Sequence, residues 1–150
     1  MGVRYMTTLE YLKKYKELIK ENRSYSKEIK IAYLASSTLR CVKETLTVMC
    51  DTCDIKANIY VSDYNQYAQE ILDENSKLYS FKPELLILAL DLETILGDKY
   101  FEIFSMNSIE LEKVETRILT DINSLVDSIR NNLNCTIIIH NFEVPIYSPI

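Results

Sequence analysis

The segment IKIAYLASSTLR (residues 29–40) is apolar from Ile31 to Ala35, stops on Ser36, Ser37 and Thr38, and then resumes with helical spacing. A short apolar run broken by small polar residues reads as a buried strand feeding a helix, the opening unit of a parallel α/β sheet. The junction leaves two readings for Ser37. It is a nucleophile displayed at a strand tip, or it caps the following helix, since serine and threonine lead among N-caps. That helix is expected over about 38–50, with Leu39, Val42, Leu46 and Met49 on one stripe.

Working outward, Leu9, Leu12, Leu18 and Ile19 form an approximate helical stripe after Thr7-Thr8, which predicts a first helix over about 7–22. KENRSYSKE (20–28) has no periodicity and reads as a loop. Downstream, Ile55, Ala57, Ile59 and Val61 alternate with polar or half-polar residues, the pattern of a half-exposed strand at a sheet edge. A short helix carrying Tyr67, Ala68, Ile71 and Leu72 is ended by Pro83. ELLILAL (84–90) is apolar from Leu85 onward, which places it centrally, covered on both faces.

An irregular stretch over 97–107 precedes a long helix over about 108–131. Leu111, Val114, Ile118, Leu119, Ile122, Leu125, Val126 and Ile129 give that helix one broad apolar face. CTIIIH reads as a last buried strand ending at His140, and NFEVPIYSPI shows no element. Strand and helix alternate throughout, so the fold class is α/β: a three-layer, open, mostly parallel sheet in the order 2-1-3-4 with helices on both faces. Residues 1–150 are expected to form one domain with an α/β core at about 29–145.

Composition narrows the function. With 22 acidic against 17 basic residues the chain carries a net charge of −5, and no basic patch is visible along the sequence, so nucleic acid is disfavoured as a partner. No apolar run reaches the ~20 residues of a membrane span and the N-terminus has no secretory core, so no membrane role and a cytoplasmic location are expected. Cys50 and Cys53 have the spacing of a redox pair or half a zinc site. The remaining Cys41, Cys135 and His140 lack matching spacing, so small half-buried thiols are expected, with no metal and no cofactor in this domain.

In open α/β sheets, ligands bind beyond the carboxyl ends of the strands where the strand order reverses, here between the first and third strands. That rule selects Ser36, Ser37 and Thr38, together with Asp91 and Glu93; Ser62, Asp63, Asn65, His140 and Asn141 would rim the same edge. Ser37, His140 and Asp91 together would supply a serine-hydrolase triad. Each also has a plain structural reading, with Asp91 capping a short helix that begins at LETIL and His140 hydrogen-bonded at a strand end. Gly2 and Gly97 are the only glycines, and neither sits at a strand-to-helix turn. Glycine-cradled nucleotide sites are therefore excluded.

Three stretches, IAYLASSTL, NIYVSDYNQYAQEILDENSKLYSFKPELLILALDLETIL and IIIHNFEVP, resemble the N-terminal, SGNH-hydrolase-like module of FkbH-like proteins, the subclass IIIC branch of the haloacid dehalogenase superfamily. The resemblance covers about residues 30–145, and its most specific part is 64–91. It implies a flavodoxin-like, SGNH-like sheet and a chain that is a fragment of a larger protein. In the family a haloacid dehalogenase domain follows, whose aspartate and magnesium carry phosphoryl chemistry tied to loading a glyceryl unit onto an acyl carrier protein. Such a C-terminal domain and an acyl carrier protein are the partners it implies.

The departures from true SGNH hydrolases bear on Ser37. Where those enzymes have Gly-Asp-Ser, this chain has Ala35-Ser36-Ser37; where they have Gly-x-Asn-Asp, it has Leu88-Ala89-Leu90-Asp91. The oxyanion donors, each worth about 100- to 1000-fold in rate, are thus missing. Their closing Asp-x-x-His block is not found, and His140 falls too early in the topology to replace it. The resemblance implies a non-catalytic accessory domain with Ser36, Ser37, Thr38, Asn65, Asp91 and Asn141 as ligand contacts. A small serine esterase using Ser37, His140 and Asp91, or a freestanding protein-interaction module, is the alternative.

Overall fold

The structure, a computed structural model, describes residues 6–142. Four strands, β1 (Lys27–Ala35), β2 (Ile55–Val61), β3 (Leu85–Ala89) and β4 (Thr136–Ile139), form one sheet in the order β2-β1-β3-β4. Every pairing is parallel, with Ile31 opposite both Ile59 and Leu85, and Leu88 opposite Leu34 and Ile139. The expected α/β architecture and strand order are therefore present, and the half-exposed pattern of β2 follows from its edge position.

Helix α2 (Val42–Thr52) lies against one sheet face, over Ile31, Ile59 and Ile87, and helix α1 (Thr8–Leu18) packs on α2. The other face carries α3 (Tyr67–Leu72), α4 (Lys77–Phe81) and α6 (Ser108–Asn132) over Ala32, Leu34, Leu86, Leu88 and Leu90. Ile71, Leu78 and Ile129 are fully buried in this second layer. A short helix α5 (Leu92–Leu96) and two 3₁₀ turns (Gly97–Tyr100 and Ile103–Ser105) fill the stretch between β3 and α6.

Several boundaries differ from expectation for physical reasons. Helix α2 starts at Val42, not near Thr38, because its N-cap Cys41 has φ 61°. A residue in the left-handed region ends a right-handed helix, so no helical turn passes back through it to Ser37. The inward side of α2 carries Val48, fully buried, with Leu46 and Cys50 on the sheet, while Met49 of the expected stripe is 50 % exposed. One short helix was expected before Pro83; there are two, because the backbone is extended at Asp73 (φ −95°, ψ 104°), and Glu70, which accepts the Tyr60 hydroxyl and the Leu78 N–H, ties the second to the first.

Helix α1 stops at Leu18, buries no residue fully, leaves Leu9 and Ile19 of its stripe exposed and packs mainly on α2. It begins on a capping box between Thr7 and Glu10. The loop after it is anchored by Asp51 of α2, which accepts from Arg23 at 2.7 Å and from the Tyr25 hydroxyl at 3.1 Å. Strand β4 is the other sheet edge and not a buried strand: Ile138 and Ile139 are both exposed. Leu111 and Leu119 of the broad α6 face are exposed as well, and Ile118, Leu125, Val126 and Ile129 do the packing. Most of the NFEVPIYSPI tail, from residue 143 on, lies outside the described residues.

Candidate functional site

The carboxyl ends of β1 and β3 are joined through two side chains. Ser36 continues the β1 ladder by donating its N–H to the Ala89 carbonyl at 3.1 Å, which directs its side chain toward the end of β3. There its hydroxyl donates to Asp91 Oδ2 at 2.5 Å and accepts the Asp91 N–H at 2.8 Å. Ser36 is wholly buried, and its hydroxyl is satisfied by Asp91.

Asp91 is at the same time the N-cap of α5. Its Oδ1 accepts the Thr94 N–H and its Oδ2 accepts the Thr94 hydroxyl, each at 2.8 Å. Burial pulls the Asp91 carboxyl upward, but the bonds from Ser36, Thr94 and its own N–H outweigh this and hold it below the usual carboxylate value. It is an anion built into the fold.

Ser37, one residue later, is exposed, and among the described residues its hydroxyl has no hydrogen-bond partner. It lines an open cleft of about 790 Å³ together with Asp91, Glu93 and Asp98, and with the aromatic rings of Tyr64 and Phe101. Both rings are largely exposed, Tyr64 at 62 % and Phe101 at 73 %. No Lys or Arg side chain lines the cleft, so its field is negative. This is the position beyond the strand ends where the strand order reverses.

The structure thus brings Ser37, Asp91 and Glu93 to one cleft, with Ser36 directly beneath. Other residues singled out from the sequence lie apart. Thr38 is exposed in the loop before α2, and Asn65 sits in a left-handed turn (φ 53°) beside the cleft-lining Tyr64. Ser62 accepts the Ala35 N–H at 3.4 Å and serves the β1–β2 edge, and Asp63 is exposed. His140 donates its N–H to the Leu88 carbonyl and packs its ring edge-on against Tyr33 at 5.8 Å; neither it nor Asn141 lines the cleft.

Sequence reasoning missed Tyr64, Asp98 and Phe101. The available signal was Gly97, whose φ of 56° turns the chain so that the following residues face the cleft. Among the described residues no group of His, Cys, Asp or Glu is arranged to hold a metal ion. All four cysteines are free, and burial, followed by the nearby Cys53, pushes the Cys50 thiol up, away from the reactive thiolate. No helix among the described residues is long and apolar enough to cross a membrane.

No protein-family model matches this chain, and no curated protein is significantly similar to it. Among solved structures, the N-terminal part of the protein BF1531 from Bacteroides fragilis, described as containing a phosphatase domain complexed with Mg, shares the fold. The TM-score is 0.70 at 18 % identity, over 95 % of this chain and 35 % of that one. The chain therefore spans about a third of the length of that neighbour, and the likeness is one of fold.

Proposed function

We propose that this chain is a non-catalytic α/β accessory domain of the SGNH-like kind, holding a small polar ligand in the cleft beside Ser37 for a haloacid-dehalogenase-type phosphatase domain. The observation that carries this reading is the bond between Ser36 and Asp91. The carboxylate a triad would need is already engaged by Ser36 and Thr94, and the one histidine lies against Tyr33. A serine hydroxyl without an adjacent base is a weak nucleophile, so Ser37 acts as a ligand contact.

The setting is supported by the fold likeness to the N-terminal part of a phosphatase-containing protein. It is also supported by the FkbH-like pattern of residues 64–91. Three carboxylates suit an uncharged polyol or an amine and repel a phosphate. An acyl carrier protein would present the uncharged acyl end of its arm here, not the phosphodiester.

The test is fluorophosphonate labelling of the full chain with mass-spectrometric mapping, run beside amide NMR titrations with ethanolamine and with glycerol. No adduct at Ser37, and saturable shifts at Tyr64, Glu93 and Asp98 that weaken in Asp98→Asn, are expected. An adduct at Ser37 that disappears in His140→Ala would establish the esterase reading instead.

A further inference from the structure

We propose that Lys99, Lys113 and Arg117 form a second site, for the phosphate group of a small phosphate monoester or of a phosphorylated side chain. The three residues line a separate hollow of about 160 Å³ whose floor is Ile95, Leu96, Val114 and Ile118, with no carboxylate among its lining residues. Lys99 comes from the first 3₁₀ turn, and Lys113 and Arg117 lie one turn apart on α6. In a chain with more acidic than basic residues, three cations around one hollow are a local reversal of sign.

Like charges four residues apart on a helix repel by a few tenths of a kcal/mol, so this placement works against α6 itself. Existing contacts do not consume the charge. Arg117 Nε lies 3.7 Å from Asp121, an exposed pair that leaves the outer guanidinium donors unused. Lys99 and Lys113 make no ion pair within 4 Å among the described residues, although both also border the neighbouring hollow lined by Glu102 and Glu110.

The ligand class follows from charge and size. Three cations balance a dianion with one charge to spare, whereas a monocarboxylate would leave two uncompensated. A hollow of about 160 Å³ admits a phosphate group together with part of a small ester substituent. The apolar floor favours an ester carrying a hydrocarbon group over the bare ion. Segment 93–101 separates the two cavities, giving Glu93 and Asp98 to the acidic cleft and Lys99 to this hollow.

The test is an amide NMR titration of the full chain at low ionic strength with inorganic phosphate, phenyl phosphate and a short phosphoserine peptide. Saturable shifts confined to Lys99, Lys113, Arg117 and their neighbours are expected, with phenyl phosphate binding about tenfold tighter than inorganic phosphate. The Lys113→Gln/Arg117→Gln variant should lose at least about tenfold in affinity while its remaining amide spectrum stays in place. Tighter binding of phenyl phosphate than of the peptide identifies a free ester as the source, and the reverse order identifies a modified partner chain. The proposal is overturned if none of the three saturates below about 10 mM, if shifts scatter over the other lysines, or if the double variant binds as the parent does.

Discussion

Replacing Ser36 by alanine should destabilise the fold far more than replacing Ser37, although the two are adjacent. Ser36→Ala removes the bond to the Asp91 carboxylate at 2.5 Å and takes away the acceptor of the Asp91 N–H at 2.8 Å. Hydrogen bonds to a charged group contribute about 1.5–3 kcal/mol and neutral ones about 1 kcal/mol. Asp91 stays half-exposed to rehydration, so the expected loss is about 2–4 kcal/mol. With a urea m-value of about 2 kcal/mol/M, the midpoint falls by about 1–2 M. Ser37→Ala, at an exposed hydroxyl without a partner, should stay within about 0.5 kcal/mol of the parent.

The same pair fixes a pH dependence. The folded-state carboxyl of Asp91 titrates below its ordinary value of 3.8, so its stabilising contribution is fully present above that value. The contribution is lost as pH falls through the lower folded value. The acid-side loss of stability should therefore be smaller in Ser36→Ala than in the parent, measured by urea unfolding at a series of pH values. Equal midpoints for Ser36→Ala and the parent, or equal losses at the two serines, would refute the reasoning.

Other perturbations test the packing. Val48→Ala should cost about 1–3 kcal/mol and Met49→Ala about 0.5 kcal/mol or less, compared by urea unfolding, because only Val48 is buried. Asp51→Ala should cost about 1–3 kcal/mol, moderated because Arg23 and Lys14 can rehydrate, and should speed amide hydrogen exchange in Thr8–Leu18. Gly97→Ala should cost about 1–3 kcal/mol in thermal unfolding, from backbone strain at φ 56° alone, since an added Cβ meets nothing within 4 Å.

The sheet was legible because its strands carry their environment in their spelling. The run at Leu85–Ala89 is apolar at every position since both its faces are covered, and Ile55–Val61 alternates since it is an edge. Strand β4 misleads by the same rule: TIII spells a buried strand but occupies an open edge, which periodicity cannot distinguish. The start of α2 was hidden because it depends on one left-handed residue, Cys41, of a type that rarely takes that conformation. Asp91 was legible as a cap, but not its bond to Ser36, which joins residues 55 positions apart. The cleft walls Asp98 and Phe101, and Lys99 of the cationic hollow, were hidden for a related reason: apart from Gly97 nothing marks the irregular segment that sets them, and no repeat period reports an irregular turn.

Ser36 and Asp91 also constrain how this sequence can drift. Among the described residues the Ser36 hydroxyl bonds to Asp91 and the Asp91 N–H to Ser36, so a change at either position takes a hydrogen-bond partner from the other. A change at one position therefore favours a compensating change at the other, although Asp91 keeps its two bonds from Thr94. Among descendants of this sequence the two should covary, while the exposed Ser37 beside them is free of this constraint.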